Sequence, residues 1–249
     1  MAFKQAVSSW PIGGLSDEQL KQVRAIGIEG VEMPDPQEYS RLQDLGLAIA
    51  TIVGHQSLED GLNKKENHSR IADEIRASLE IAKENKIDGL VCFSGNRNGI
   101  GEEEGAANTI EGLQLVAKDA EKAGVNLLIE LLNSKVDHPD YQCDRTPWGA
   151  SVVKQVNSPR VKLLYDIYHM QIMEGDLIRT IRDNIEHVGH FHTAGNPGRK
   201  DLDEEQEIFY PAIARAIRDT GFEGWVGHEY GPKGDVLPSL QQAYEALKV

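Results

Sequence analysis

EKAGVNLLIE, residues 121–130, passes from charged, helix-like positions through one glycine into a short apolar run that ends on a carboxylate. Glycine at such a joint takes the left-handed conformation that ends a helix without steric cost, and the run after it suits a buried strand. The same joint recurs in RAIGIEGVEM (24–33), QDLGLAIATI (43–52), KENKIDGLVC (83–92) and RDTGFEGWVG (218–227), and four of the five place glycine at the helix end. VKLLYDI (161–167) and HVGHFHT (187–193) follow helical stretches in the same way, and AFKQAVS (2–8) precedes the first predicted helix, SDEQLKQVRAI (16–26). The sum is eight short strands, near residues 3, 28, 47, 88, 125, 161, 187 and 224, alternating with helices. Strict βα alternation predicts an α/β protein with a parallel sheet covered by helices. Eight units in 249 residues match a single (β/α)8 TIM barrel. An open doubly wound sheet is the weaker alternative, because SSWPIGG follows the first strand and no G-x-G-x-x-G follows any strand.

No linker, low-complexity run or shift in composition divides the chain, so one domain is expected over residues 1–249. With 40 acidic against 26 basic residues the formal charge is −14, a balance that repels phosphate backbones and anionic lipid. Nucleic acid and membrane surfaces are therefore not expected partners, and a small molecule is. Cys92 and Cys143 are too few and too far apart for a disulfide framework, no stretch approaches 18 apolar residues, and the N-terminus lacks a signal-like run. A cytoplasmic location is expected.

Barrel chemistry sits at the C-terminal ends of strands, where loops such as GNRNGIGEEEGAA (95–107) and AGNPGRKDLDEE (194–205) also lie. The last four apolar runs end on Glu130, Asp166, His192 and Glu229. Adjacent strands lie about 4.8 Å apart, so four such donors can converge on one ion. Three carboxylates and one imidazole suit Mn²⁺ or Mg²⁺ better than a thiolate zinc site. A metal also explains Asp166 inside VKLLYDIYHM (161–170), since a buried ionised carboxylate costs several kcal/mol unless paired or ligating. Any single carboxylate at a strand end is more often a salt-bridge partner or helix cap, and a lone histidine in an apolar run is usually a hydrogen-bonded core residue. Four coincident donors are harder to explain that way. His169 is placed to reach into the mouth, with packing against Trp148 or Tyr168 as the plain alternative. Arg199 offers a fixed positive charge to a substrate oxygen, or is a solvated loop charge. His55, ending the third strand, and Trp10, after the first, are weaker pocket candidates, whereas His190 and His228 read as structural.

At these residues the chain resembles the xylose isomerase-like superfamily of sugar isomerases and epimerases, and within it the hydroxypyruvate isomerases. The likeness is carried by IELLN (129–133), DIYHMQIMEGDL (166–177), VGHFHTAGNPGR (188–199) and GHEYGPKGD (227–235), and is weaker but colinear upstream. It implies a barrel holding one divalent ion through Glu130, Asp166, His192 and Glu229, substrate contacts from His169 and Arg199, and assembly into dimers or tetramers. His192 matches the ketose 3-epimerases of the superfamily, where hydroxypyruvate isomerases usually carry glutamine. The expected reaction is metal-dependent isomerisation of a small α-hydroxy carbonyl compound, hydroxypyruvate to tartronate semialdehyde. In it Glu130 and Glu229 move the proton through an enediolate. Ketose 3-epimerisation and metal-assisted loss of a leaving group from a sugar-derived acid use the same parts. A metal-dependent endonuclease would need more ligands and a basic groove, and a non-catalytic sugar-binding barrel has no use for two glutamates at a metal.

Overall fold

The computed structural model describes residues 2–249. Eight parallel strands close into a barrel in sequence order: β1 Lys4–Ser8, β2 Gly30–Glu32, β3 Ala48–Val53, β4 Gly89–Cys92, β5 Asn126–Glu130, β6 Val161–Asp166, β7 Val188–Thr193 and β8 Trp225–His228. Closure is made by β1 against β8, with Ala6 opposite Gly227 and Val7 opposite His228. Each strand expected from the sequence is present within a few residues of its expected place.

The joints behave as their composition demands. Gly124 ends its helix at φ 74°, and Lys86, the one joint without glycine, is itself left-handed at φ 56°. The first long helix, Asp17–Ile26, opens on a full capping box: the Ser16 hydroxyl accepts from the Gln19 amide and the Gln19 side chain accepts from the Ser16 amide. Residues 9–12, after the first strand, form one short helical turn.

Most apolar burial lies between barrel and helices, where Val7, Val31, Ile49, Leu90, Leu127, Leu163 and Phe191 face their covering helices. Two smaller clusters lie apart from that layer: Ala6, Ala50 and Trp225, and Val91, Leu128 and Leu164. Small residues make room for the large ones there, and a Cβ on Gly30 would strike the Trp225 indole. His228 is structural as expected, with Nδ1 2.9 Å from the Thr193 hydroxyl and Nε2 2.9 Å from Gln5 Oε1. Among the described residues no helix is long and apolar enough to cross a membrane.

Candidate metal centre at the strand ends

Strand register brings the four donors together. Asp166 closes β6 and pairs with His192 of β7, Glu130 closes β5 opposite Leu164, and Glu229 follows β8, held by its amide donating to Thr193 O at 3.0 Å. His192 Nδ1 lies 3.0 Å from Glu229 Oε2, 3.4 Å from Glu130 Oε1 and 3.9 Å from Asp166 Oδ2. One donor atom from each of the four residues lies within 4.8 Å of all the others. Asp166 Oδ2 and His192 Nδ1 are buried with no hydrogen-bond partner. Three carboxylates gathered at a buried site repel one another, so the donor set fits a divalent cation. Oxygen-rich coordination favours a hard or borderline ion.

The local electrostatics report the same crowding. Burial raises Asp166 to about 6 against the pull of His192 and Arg199. Burial also raises Glu130, helped by Glu229 and Asp166, while His192 opposes. Glu229 goes the other way: burial would raise it, but His192 and Arg199 outweigh burial and hold it well below the usual carboxylate range. The Arg199 guanidinium reaches it directly, Nη2 to Glu229 Oε2 at 2.6 Å.

His169 and Arg199 both enter the site. The Asn133 side-chain oxygen accepts from the amides of Val136 and Asp137, which leaves its NH₂ to face His169 Nδ1 at 2.6 Å. His169 therefore accepts at Nδ1 and carries its proton on Nε2, 3.6 Å from Asp166 Oδ2 and otherwise unpartnered. Burial first, then Arg199, lowers its pKa well below the usual value and keeps the ring neutral. Its packing neighbour is Tyr168, with ring centroids 5.1 Å apart, whereas the Trp148 indole donates to Glu102 O instead. Arg199 sits on a left-handed residue at φ 55°, its Nε buried without a partner.

His55 is buried in the loop that follows β3. Its Nδ1 lies 3.0 Å from Gln56 O and its Nε2 accepts from the Phe93 amide at 3.0 Å, so both ring nitrogens serve the backbone beyond β3 and β4. Trp10 is 53% exposed on the short turn after β1, near Gly231 of the β8 loop.

Sequence reasoning missed Glu32. It ends β2, is fully buried, and sets Oε2 3.0 Å from His192 Nε2 while Oε1 contacts His190 Nε2. The signal was present in RAIGIEGVEM, whose apolar run closes on this carboxylate as NLLIE closes on Glu130. The contact of Glu32 with His192 depends on barrel closure, which joins β2 to β7 across the interior.

The family model described as xylose isomerase-like TIM barrel matches residues 20–249. A protein of Escherichia coli K12 named hydroxypyruvate isomerase is 32% identical over 162 residues, 65% of this chain and 62% of its own length. A 2-oxo-tetronate isomerase of Cupriavidus necator is 35% identical over 134 residues, 54% of this chain and 51% of its own. The matched stretch thus spans between half and two thirds of these two relatives. A crystal structure described as an AP endonuclease of family 2 from Brucella melitensis superposes with a TM-score of 0.84 at 26% identity, covering 96% of each chain. With the family model matching from the first long helix to the last residue, over a closed eight-stranded barrel, the chain belongs to the xylose isomerase-like TIM barrel family.

Proposed function

We propose that this isomerase interconverts a small α-hydroxy carbonyl compound and its isomer with one divalent ion, Mn²⁺ or Mg²⁺, and that hydroxypyruvate to tartronate semialdehyde is the reaction. The observation that carries it is the convergence of Glu130, Asp166, His192 and Glu229 within 4.8 Å of one another, with two of the four donor atoms buried and unpaired. These four residues would hold the ion. When bound, such a cation supplies Lewis-acid activation of a hydroxy carbonyl group and makes the adjacent C–H more acidic.

The chain's own groups do the rest. Glu229, held by the Arg199 guanidinium at 2.6 Å, takes a C3 proton from hydroxypyruvate. Glu130 returns a proton to C2 while the C3 hydroxyl proton passes to the C2 oxygen, and exchange with solvent then removes the proton from Glu229 and restores the one on Glu130. Atoms balance, and the product is the aldehyde. His169 Nε2–H donates to a substrate oxygen, and Arg199 sets a fixed positive charge against developing negative charge or a substrate carboxylate.

Ketose 3-epimerisation is the second reading, favoured by His192 in the ligand set. A nuclease function meets two objections in the charge of −14 and in the small number of donor clusters: among the described residues only two groups of three or more could hold a metal, and both share His192. The test is product identification by NMR after the Mn²⁺-loaded protein meets hydroxypyruvate, tartronate semialdehyde and three- to six-carbon ketoses. Tartronate semialdehyde from hydroxypyruvate is the expected result. Inversion at C3 of a ketose with hydroxypyruvate untouched would move the function to epimerisation, loss of water would make it a lyase, and no conversion of any compound would overturn it.

A further inference from the structure

The second donor cluster, Glu32 with His190 and His192, lies behind the first and shares one imidazole with it. Glu32 stands at the end of β2, and His192 stands on β7, so the contact spans the barrel interior rather than a neighbouring pair of strands. Room for it comes from β8: a Cβ on Gly227 would overlap the Glu32 carboxylate. The carboxylate is fully buried, and its two oxygens divide between the Nε2 atoms of two histidines, with Oε2 3.0 Å from His192.

Hydrogen-bond chemistry then constrains the imidazole. An ionised carboxylate only accepts, so the nitrogen facing it is the one that carries a proton. A neutral imidazole has one N–H. In the metal-free chain both nitrogens of His192 face carboxylates, Nε2 that of Glu32 and Nδ1, at 3.0 to 3.9 Å, those of Glu229, Glu130 and Asp166; a cation bound at Nδ1 takes the place of the proton there, and Glu32 keeps the one on Nε2. A wrong tautomer would put a proton where a cation has to bind.

We propose that Glu32 is a positioning residue that fixes the Nε2–H tautomer and ring orientation of His192, with His190 holding its second oxygen and Gly227 giving it space, so that His192 Nδ1 serves as a metal ligand. This rests on the metal reading of the four strand-end donors. Carboxylate partners behind ligating histidines raise ligand basicity and fix the ring, and their loss typically costs about 10- to 100-fold in metal affinity. Glu32→Gln removes the charge and can turn either its oxygen or its NH₂ to Nε2, so the Nε2–H tautomer is no longer fixed.

The experiment is a double-mutant cycle on Mn²⁺ affinity, read from the signal of free Mn²⁺ in electron paramagnetic resonance titrations of the full chain. The four proteins are wild type, Glu32→Gln, His192→Ala and the double variant. Metal-free melting curves of all four serve as the control for folding. Glu32→Gln should weaken Mn²⁺ binding about 10- to 100-fold beside an intact His192, and by less than about twofold where His192 is already alanine. Equal losses in both backgrounds would mean that Glu32 acts through charge or fold, and no loss would mean that it does not act on the site; either overturns the inference. A wild type that binds no Mn²⁺ would instead overturn the metal reading beneath it. Should Glu32→Gln fail to fold, Gly227→Ala, which keeps the carboxylate but displaces it, takes its place in the cycle with the same expected outcomes.

Discussion

Asp166 is 1% exposed, and its pKa of about 6 sets a sign for stability. Its ordinary value is 3.8, so between about pH 4 and 6 the metal-free folded chain keeps a proton that the unfolded chain has released. Stability from this group is therefore full below the lower value and lost as pH rises through the upper one. Metal-free wild type should lose about 2 to 3 kcal/mol relative to Asp166→Asn between pH 4 and 7 in urea unfolding, and saturating Mn²⁺ should abolish the trend. A flat difference would show that the carboxyl is not desolvated. Arg199 makes a separate prediction, since its guanidinium binds Glu229 yet leaves Nε buried and free. Arg199→Ala should keep its metal and lose about 10- to 150-fold in kcat/KM, the cost of a charge-assisted contact of about 1.5 to 3 kcal/mol, and more on hydroxypyruvate than on neutral ketoses. Equal losses on both would mean that Arg199 does not recognise a carboxylate.

At the scale of elements, the joints were legible because each is a local steric problem. A helix ending on Gly46 or Gly221 announces itself, and the following run must be a strand because it is apolar, short and flanked. The four strand-end donors were legible for the same reason, each being a polar residue closing an apolar run. Glu32 and the occupation of His55 were not, because they depend on which strands face one another across the closed barrel and on where two backbone groups beyond β3 and β4 point. Such contacts have no period in the sequence. Lys86 gives a test at this scale: a non-glycine residue at φ 56° pays for its left-handed backbone. Lys86→Gly should therefore stabilise the protein by about 0.5 to 1 kcal/mol and raise Tm by about 1 to 4 °C. A lower Tm would mean that the Lys86 side chain contributes more than the strain costs.

Across the whole molecule, one end of the barrel gathers its burden of charge. Glu130, Asp166, His192 and Glu229 converge there, and Glu32 and His190 pack behind them in a chain of net charge −14. Stability should accordingly depend on the ion. At a free Mn²⁺ concentration about 100 times its Kd the folded state gains about 2.7 kcal/mol, so stripping the metal should lower Tm by about 5 to 10 °C. An unchanged melting curve would count against a filled site. The most direct measurement of the proposed chemistry is incorporation of solvent deuterium at C3 of hydroxypyruvate, followed by NMR in D₂O. Wild type with Mn²⁺ should exchange and metal-free protein should not. Glu229→Gln should lose exchange while retaining metal, and Glu130→Gln should still exchange C3 but release little tartronate semialdehyde. Product formed without solvent deuterium, or near wild-type turnover in both variants with metal bound, would contradict proton transfer by this pair.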